Sequence, residues 1–115
     1  MRIISVVPSL TELLIDLGLE NQLVGVTRFC IHPNEKTKLI QNIGGTKKLK
    51  IKRIIDLKPD LIIANKEENS KDDILQLQQY FEVLITDIFD FQGSLNAIAA
   101  IGYRTNKTKE ADELI

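Results

Sequence analysis

Four short apolar runs, separated by segments with helical periodicity, constrain the fold of this chain more than any other feature. None of the runs alternates polar with apolar residues, so each is expected to be buried on both faces of a sheet. Alternation of such strands with helices is typical of βα units. The sequence therefore predicts an α/β fold, a single Rossmann-like lobe with a mostly parallel sheet of about four to five strands flanked by helices. The runs are Ile3–Val7, Leu23–Val26, Leu61–Ala64 and Val83–Ile85.

The segments between the runs carry the start and stop signals of helices. Ser9 and Glu12 match a capping box, in which each side chain satisfies a backbone amide at the helix start. A glycine or a proline follows where several of the periodic patterns stop. The four predicted helices run from Ser9 to Gly18, from about Ile51 to before Pro59, from Ser70 through Phe81, and from Ser94 to Gly102.

Length and composition fit one small domain. The chain has 115 residues, of which 43% are hydrophobic, and this proportion is ordinary for a globular protein. The 15 basic and 16 acidic side chains give a net charge of −1, which provides no overall attraction to nucleic acid. The single cysteine excludes an internal disulfide.

No apolar segment indicates export or membrane insertion. The N-terminus enters the first apolar run at once, without the apolar core of ~7–15 residues that precedes a signal cleavage site. No run approaches the ~20 apolar residues of a membrane span. As written, the chain is therefore expected to stay in the cytoplasm, without direct membrane insertion.

The residues that follow the apolar runs are the candidates for chemistry, because ligands of parallel α/β sheets bind beyond the carboxyl ends of the strands. The stretch Gly25–Pro33 (GVTRFCIHP) concentrates a guanidinium, a thiol and an imidazole. Arg28 could bind an anion or a carboxamide while Phe29 packs on an apolar ligand face, and a surface salt bridge is the alternative for Arg28. Cys30 and His32 could both face a metal, but two ligands do not close a site. No metal site is predicted.

Two other loops offer backbone groups rather than reactive side chains. The helix start at Ser9 could bind an anionic group, and the turn Gly44–Thr46 could let a ligand approach the backbone closely.

Glu67 and Glu68 follow the third run, but adjacent loop residues diverge and the sequence offers no nucleophile to accompany them. We interpret them as a solvated acidic rim, and we predict no catalytic residue.

Several ordered blocks of the chain resemble a known family. The blocks VVPSLTELLIDLGL, GVTRFCIHP, IGGTKKLKIKRIIDLKPDLIIA and NKEENS are similar to the N-terminal lobe of the helical-backbone solute-binding proteins, and the nearest likeness is to the cobalamin-binding branch. Members of this family pass cobalamin, haem or ferric chelates to ABC importers, and they bind the ligand between two lobes joined by a long helix. The resemblance implies an N-terminal lobe over residues 1–104 and the truncated start of the interlobe helix over residues 105–115.

The resemblance also implies a function, namely the substrate-binding component of an ABC importer, outside the cytoplasm and without a built-in cofactor. Its ligand would be cobalamin or a similar metal chelate such as haem or a ferric siderophore, and its protein partner the importer's permease. Docking on the permease would use acidic residues near the SKDD segment, where Lys71 precedes Asp72 and Asp73. The ligand wall carried over from the matching loops consists of Pro8, Ser9, Thr11, Arg28, Phe29, Cys30, His32, Gly45 and Thr46.

Two further functions remain open from the sequence. A ligand-free interaction or remnant module would expose an apolar face and self-associate. A small flavodoxin-like enzyme would hold an anionic substrate with Arg28 and the helix start at Ser9.

Overall fold

The computed structural model describes residues 1–27, 40–87 and 91–114. The described part contains a short 3₁₀ turn at Glu20–Gln22 in addition to its strands and helices. In chain order the strands are β1 (Ile3–Ser5), β2 (Leu23–Val26), β3 (Gln41–Asn42), β4 (Gly44–Gly45), β5 (Lys48–Leu49), β6 (Leu61–Asn65) and β7 (Val83–Thr86). The helices are α1 (Pro8–Asp16), α2 (Ile51–Leu57), α3 (Lys71–Gln78), α4 (Phe91–Arg104) and α5 (Thr108–Leu114).

Five of the strands form one sheet in the order β3-β2-β1-β6-β7, and every neighbouring pair is parallel. The chain begins in the middle of the sheet, adds strands on one side through β3, and then crosses to β6 and β7 on the other side. β4 and β5 form a separate antiparallel hairpin. The prediction of an α/β lobe with a parallel sheet is confirmed, and the strand order reverses between β1 and β6.

The sequence did not predict β3 or the β4–β5 hairpin. Each of these strands has only two residues, and both residues of β3 are exposed and polar. Propensity and burial patterns need longer segments to be recognised. Pairing with β2, rather than any local signal, makes Gln41 and Asn42 a strand.

The core lies on both faces of the central strands. All five residues of β6 are buried, and Val7, Val26 and Ile63 are buried as predicted. The same expectation is wrong for β7, where Val83 is half-buried and Ile85 is 40% exposed. Within the described residues β7 is an edge strand, so its side chains are covered less completely than those of the central strands.

The first helix does not use the predicted capping box. Val7 is the N-cap residue, Pro8 occupies the first turn, and no side chain caps the helix. Proline is favoured at this position because it has no amide hydrogen to satisfy and its φ angle is already helical, so the start lies before Ser9. Gly18, with φ of +83°, follows the end of the helix as predicted.

The fourth predicted helix ends later than the sequence indicated. α4 continues through Gly102 to Arg104, so the interpretation of Gly102 as a helix stop is wrong. A Cβ atom built at this glycine would lie 2.5 Å from Cβ of Ala111 in α5. Gly102 is therefore required by the close crossing of two helices rather than by a turn.

Candidate functional site at the carboxyl edge of the sheet

The carboxyl ends of all five parallel strands lie at one edge of the sheet, because every strand of the sheet points the same way. The segments that follow β1 at Val6, β2 at Thr27 and β6 at Lys66 therefore begin at this edge. The prediction that the loops beginning at Pro8, Thr27 and Asn65 start from one edge of the sheet is confirmed for these strand ends. Ligands of open α/β sheets bind at such an edge where the strand order reverses, which here is the position between β1 and β6.

A buried asparagine connects three elements at this position. The side-chain amide of Asn69 donates hydrogen bonds to the carbonyl of Val6 at 3.0 Å and to the carbonyl of Thr46 at 2.9 Å. Its Oδ1 atom accepts a hydrogen bond from the amide of Asn65 at 2.9 Å. Only 4% of Asn69 is exposed. The end of β1, the turn of the hairpin and the end of β6 are thus joined by one side chain.

A second buried asparagine extends this network to the edge strand. Asn65 donates through Nδ2 to the hydroxyl of Thr86 at 3.2 Å, and the Thr86 hydroxyl donates to the carbonyl of Ala64 at 2.8 Å. The Oδ1 atom of Asn65 accepts from the amide of Glu67 at 3.0 Å. Buried polar side chains are stabilising only when they are paired in this way, so the network makes the edge between β6 and β7 rigid.

The β4–β5 hairpin follows β3 at the same edge and carries the predicted residues Gly45 and Thr46. Gly44 has φ of +103°, and a Cβ atom at this position would lie 2.7 Å from the carbonyl oxygen of Lys48. Only glycine fits such a conformation without strain. Gly45 is buried and Thr46 is half-buried, so the turn presents one partly accessible side chain at the edge.

Contacts with the segment after β6 hold the hairpin in place. The amide of Leu49 donates to Oδ2 of Asp73 at 3.0 Å, and Nζ of Lys47 donates to the carbonyl of Glu67 at 2.6 Å. The Lys47 contact is exposed and the Asp73 contact is partly buried. Asp73 is therefore engaged within the fold, whereas its neighbour Asp72 is exposed in the first turn of α3.

The three predicted site residues after β1 differ in accessibility. Pro8 is half-buried and Ser9 is exposed, and Ser9 lines a cavity of about 240 Å³ between α1 and α4. Thr11 is fully buried, and its hydroxyl donates to the carbonyl of Val7 at 3.3 Å. This position favours a role for Thr11 in fixing the start of α1, and its contact with a ligand stays a prediction.

The start of α1 offers little to an anion. Pro8 has no amide hydrogen, and the amides of Leu10 and Thr11 both donate to the carbonyl of Val7 at 3.1 Å. Among the first four residues of the helix, Ser9 alone has an amide that such a ligand could use. The backbone geometry thus weakens the expectation of an anion site at this helix start.

Four predicted site residues lie outside the described residues, namely Arg28, Phe29, Cys30 and His32. The described chain on that side ends at Thr27, which is 1% exposed. Within the described part, the Thr27 hydroxyl is a buried side-chain oxygen without a hydrogen-bond partner.

The charged side chains around the edge are solvated. Glu67 and Glu68 are exposed, which agrees with the acidic rim that the sequence predicts.

No group of three or more histidine, cysteine, aspartate or glutamate side chains within the described ranges could hold a metal ion. No helix in this same part of the chain is long and apolar enough to cross a bilayer.

A groove of about 460 Å³ adjoins the network between α3 and β7. Its apolar wall includes Ile74, Leu75 and Ile85, and Lys66 and Lys71 lie at its margin. None of the five predicted wall residues that the structure describes lines this groove, so it is separate from the described part of the predicted ligand wall.

Asn65 and Asn69 organise the edge; sequence reasoning placed Asn65 among the polar residues after the third run but missed Asn69. Their spacing was the available signal, since two asparagines stand four residues apart directly after a fully buried run. Asparagine in a loop is usually assigned to a turn. The three backbone groups that Asn69 binds belong to segments up to 63 residues away, so its role depended on the tertiary fold.

The profile of the periplasmic binding protein family matches residues 3–115. This chain is therefore a member of that family, and the family consists of binding proteins rather than enzymes. The match confirms the resemblance found in the sequence blocks.

Two curated relatives and one solved structure illustrate the similarity. An uncharacterized ABC transporter substrate-binding lipoprotein of Bacillus subtilis is 33% identical over 118 residues, covering 99% of this chain and 37% of the relative. The vitamin B12-binding protein of Vibrio campbellii is 33% identical over 98 residues, covering 85% of this chain and 34% of the relative. The crystal structure of a possible iron-binding periplasmic solute-binding protein from Staphylococcus epidermidis is 28% identical, with a TM-score of 0.88, covering 98% of this chain and 45% of that one.

The chain thus spans about a third to somewhat under half the length of the proteins it matches. Its similarity concerns one lobe-sized part of them.

Proposed function

We propose that this chain forms the N-terminal lobe of a receptor that binds cobalamin or a similar metal chelate, such as haem or a ferric siderophore, and passes it to an ABC importer. The observation that carries the proposal is the family match over residues 3–115. The similarity to a vitamin B12-binding protein favours cobalamin, and the similarity to a possible iron-binding protein favours an iron chelate. The receptor would act outside the cytoplasm.

The geometry of the sheet edge supports a binding role. A macrocycle would lie against the loops after β1 and β2 and against the Gly45–Thr46 turn, with Arg28 and Phe29 as its main contacts. Apolar and aromatic contacts would supply affinity, and a few polar groups would fix the orientation. Residues 1–104 would make up the lobe, and residues 105–115 would begin the helix toward a second lobe.

Asp72 is the carboxylate that we assign to docking on the permease. Its neighbour Asp73 already accepts the Leu49 amide, so rotating Asp73 toward a partner would break a contact within the fold. Asp72 is exposed at the start of α3 and is free to meet a cationic surface. The substitution Asp72→Asn should lower ligand-stimulated ATPase activity of the reconstituted importer while leaving ligand affinity unchanged.

A binding experiment tests the proposed ligand class. The chain would be titrated with cobalamin, haemin and a ferric siderophore by absorbance and calorimetry, alone and fused to the C-terminal lobe of the Vibrio campbellii vitamin B12-binding protein. One lobe covers only one face of a macrocycle, and the apolar area that it removes from water at ~25 cal/mol per Å² must first offset the cost of association. We therefore expect weak binding by the chain alone and much tighter binding by the fusion.

Matched arginine variants test the residue assignment. Arg28→Ala and Phe29→Ala should weaken binding by the fusion, whereas Arg104→Ala should not, because Arg104 pairs with Glu82 at the amino end of β7. The C-terminal lobe alone provides the second control. A fusion that ignores all three chelates would refute the receptor and favour the ligand-free module. Tight binding that is insensitive to the Arg28 and Phe29 variants would leave the receptor standing and refute those two contacts.

A further inference from the structure

Both donors and the acceptor oxygen of the Asn69 side chain bond to backbone groups. An asparagine amide has two N–H donors and one carbonyl acceptor. Both donors are used, at Val6 and Thr46, and the acceptor is used by the amide of Asn65. Only 4% of the residue is exposed, so these bonds are largely shielded from solvent.

The hairpin is anchored at its base, where Leu49 is buried in the core and the amide of Lys50 donates to the carbonyl of Ile43 at 2.8 Å, but its turn has fewer contacts. Its two strands have two residues each, and an isolated two-stranded hairpin is marginal at best in water. Of its contacts with the segment after β6, the Lys47 bond is exposed and the Asp73 bond holds the far strand at Leu49. The bond from Asn69 to Thr46 is the one that fixes the backbone of the turn, since the Lys47 bond is made by the end of a flexible side chain.

We propose that Asn69 is a positioning residue that fixes the Gly45–Thr46 turn against the ends of β1 and β6, and so presets this part of the ligand wall. The inference rests on the proposed function, because the turn matters for binding only if the sheet edge is the ligand site. Asn69 itself does not touch the ligand in this scheme. Its bonds hold the turn in one position in the unliganded protein. This lowers the entropic cost of ordering the turn on binding.

Two substitutions show which hydrogen-bonding groups of Asn69 the turn requires. Aspartate has the same shape but no donor, so its carboxylate would face the carbonyl oxygens of Val6 and Thr46 without a hydrogen between them. Alanine removes all three bonds and leaves buried backbone groups unpaired. Asn69→Asp and Asn69→Ala therefore release the same turn by different routes.

Hydrogen exchange of the whole chain tests the tether without any ligand. The amides of Leu49 and Lys50 report on the hairpin, since they donate to Asp73 and to the carbonyl of Ile43, and the amide of Ile62 in β6 reports on the core. In both Asn69 variants, we expect hairpin exchange to accelerate at least about tenfold relative to Ile62, a factor that corresponds to ~1.4 kcal/mol.

Thr105→Ala is the matched control. Thr105 is 7% exposed, and its hydroxyl donates to the carbonyl of Ile101 at 2.7 Å. This variant also loses a buried polar contact, but it does so where α4 ends, far along the chain from the hairpin. Its hairpin and core amides should keep their wild-type ratio. Equal acceleration of hairpin and core amides in the Asn69 variants, including complete unfolding of both variants, would overturn the proposal because Asn69 would then stabilise the fold as a whole.

Chelate binding by the two-lobe fusion tests the consequence for the ligand. Asn69→Ala should weaken the binding of cobalamin or haemin at least about tenfold at a temperature where the variant remains folded, and Thr105→Ala should leave it unchanged. A loosened hairpin with unchanged affinity would overturn the assignment of the turn to the ligand wall. If the wild-type fusion binds no chelate, the proposed function fails and the ligand role of Asn69 fails with it, whereas the hydrogen-exchange result still decides whether the tether exists.

Discussion

Replacing Gly102 with alanine should destabilise the protein, although alanine is the better helix former. Gly102 lies inside α4, where the intrinsic preference for alanine over glycine is about 1 kcal/mol. The new Cβ atom would lie 2.5 Å from Cβ of Ala111 and 3.2 Å from the carbonyl oxygen of Lys107. Neither neighbour can rotate away, since one is a methyl group fixed to its Cα atom and the other is backbone.

The steric clash lowers the stability and the higher helix propensity of alanine raises it, so the two magnitudes must be compared. Relief of the 2.5 Å contact requires α4 and α5 to separate by most of an ångström, and overpacking of this kind costs ~1–3 kcal/mol. Subtracting the gain of ~1 kcal/mol in helix propensity leaves a net loss of roughly 1 kcal/mol in the free energy of unfolding. The loss should be larger if the shift of α5 exposes Ala111, which is 1% exposed.

Urea denaturation followed by circular dichroism measures the difference. Ala99→Gly is the control for propensity, because Ala99 is an exposed position of the same helix. That variant should lose about 1 kcal/mol. In the double variant Gly102→Ala/Ala111→Gly, removal of the opposing methyl group should restore part of the loss, which gives a favourable coupling energy of about 1 kcal/mol or more.

A Gly102→Ala protein that gains as much stability as Ala99→Gly loses would refute this reasoning. Propensity would then be the only effect, and the two helices would not cross closely. Simple additivity in the double variant would lead to the same conclusion.

Three other substitutions test the core, the end of α1 and the hairpin. Ile63→Ala should lower the free energy of unfolding by about 2–5 kcal/mol, because this fully buried residue of β6 would leave a cavity between two helical layers; a loss under half a kcal/mol, roughly, would show that β6 is not central. Gly18→Ala should cost on the order of 1 kcal/mol, since its φ is +83° but the nearest atom to a new Cβ is Nζ of Lys107 at 3.9 Å. Gly44→Ala should cost clearly more, about 2 kcal/mol or above, because strain at φ of +103° is joined by backbone atoms at 2.7 and 2.9 Å. Equal losses at the two glycines in thermal melts would mean that the hairpin is looser than its contacts indicate.

Much of the framework was predictable because its signals are local. The runs at Leu23–Val26 and Leu61–Ala64 became β2 and β6 with at most one residue of difference. Gly18 marked the end of α1, and the helix at Ile51–Leu57 ended before Pro59. An apolar run of this length is stable as a strand only when both of its faces are covered. The runs therefore already predicted a sheet with helices on both sides.

The position of the sheet edge was predictable from the sequence, but the contacts of the residues at that edge were not. Parallel strands place the carboxyl ends of β1 and β2 at one edge, and this follows from topology alone. The capping box at Ser9 failed because Pro8 shifted the start of the helix. The accessibility of Thr11 was not predictable either, since its burial depends on packing across the core.

The sequence by itself determined the parallel α/β lobe and its family, because apolar runs, helix signals and ordered blocks are properties of neighbouring residues. Only the tertiary structure decided what Asn69 and Gly102 do. Asn69 ties together carbonyls that lie 63 and 23 residues away along the chain, and Gly102 is glycine because a second helix crosses it. Such roles arise from contacts between distant segments, so no local pattern of residues could have specified them.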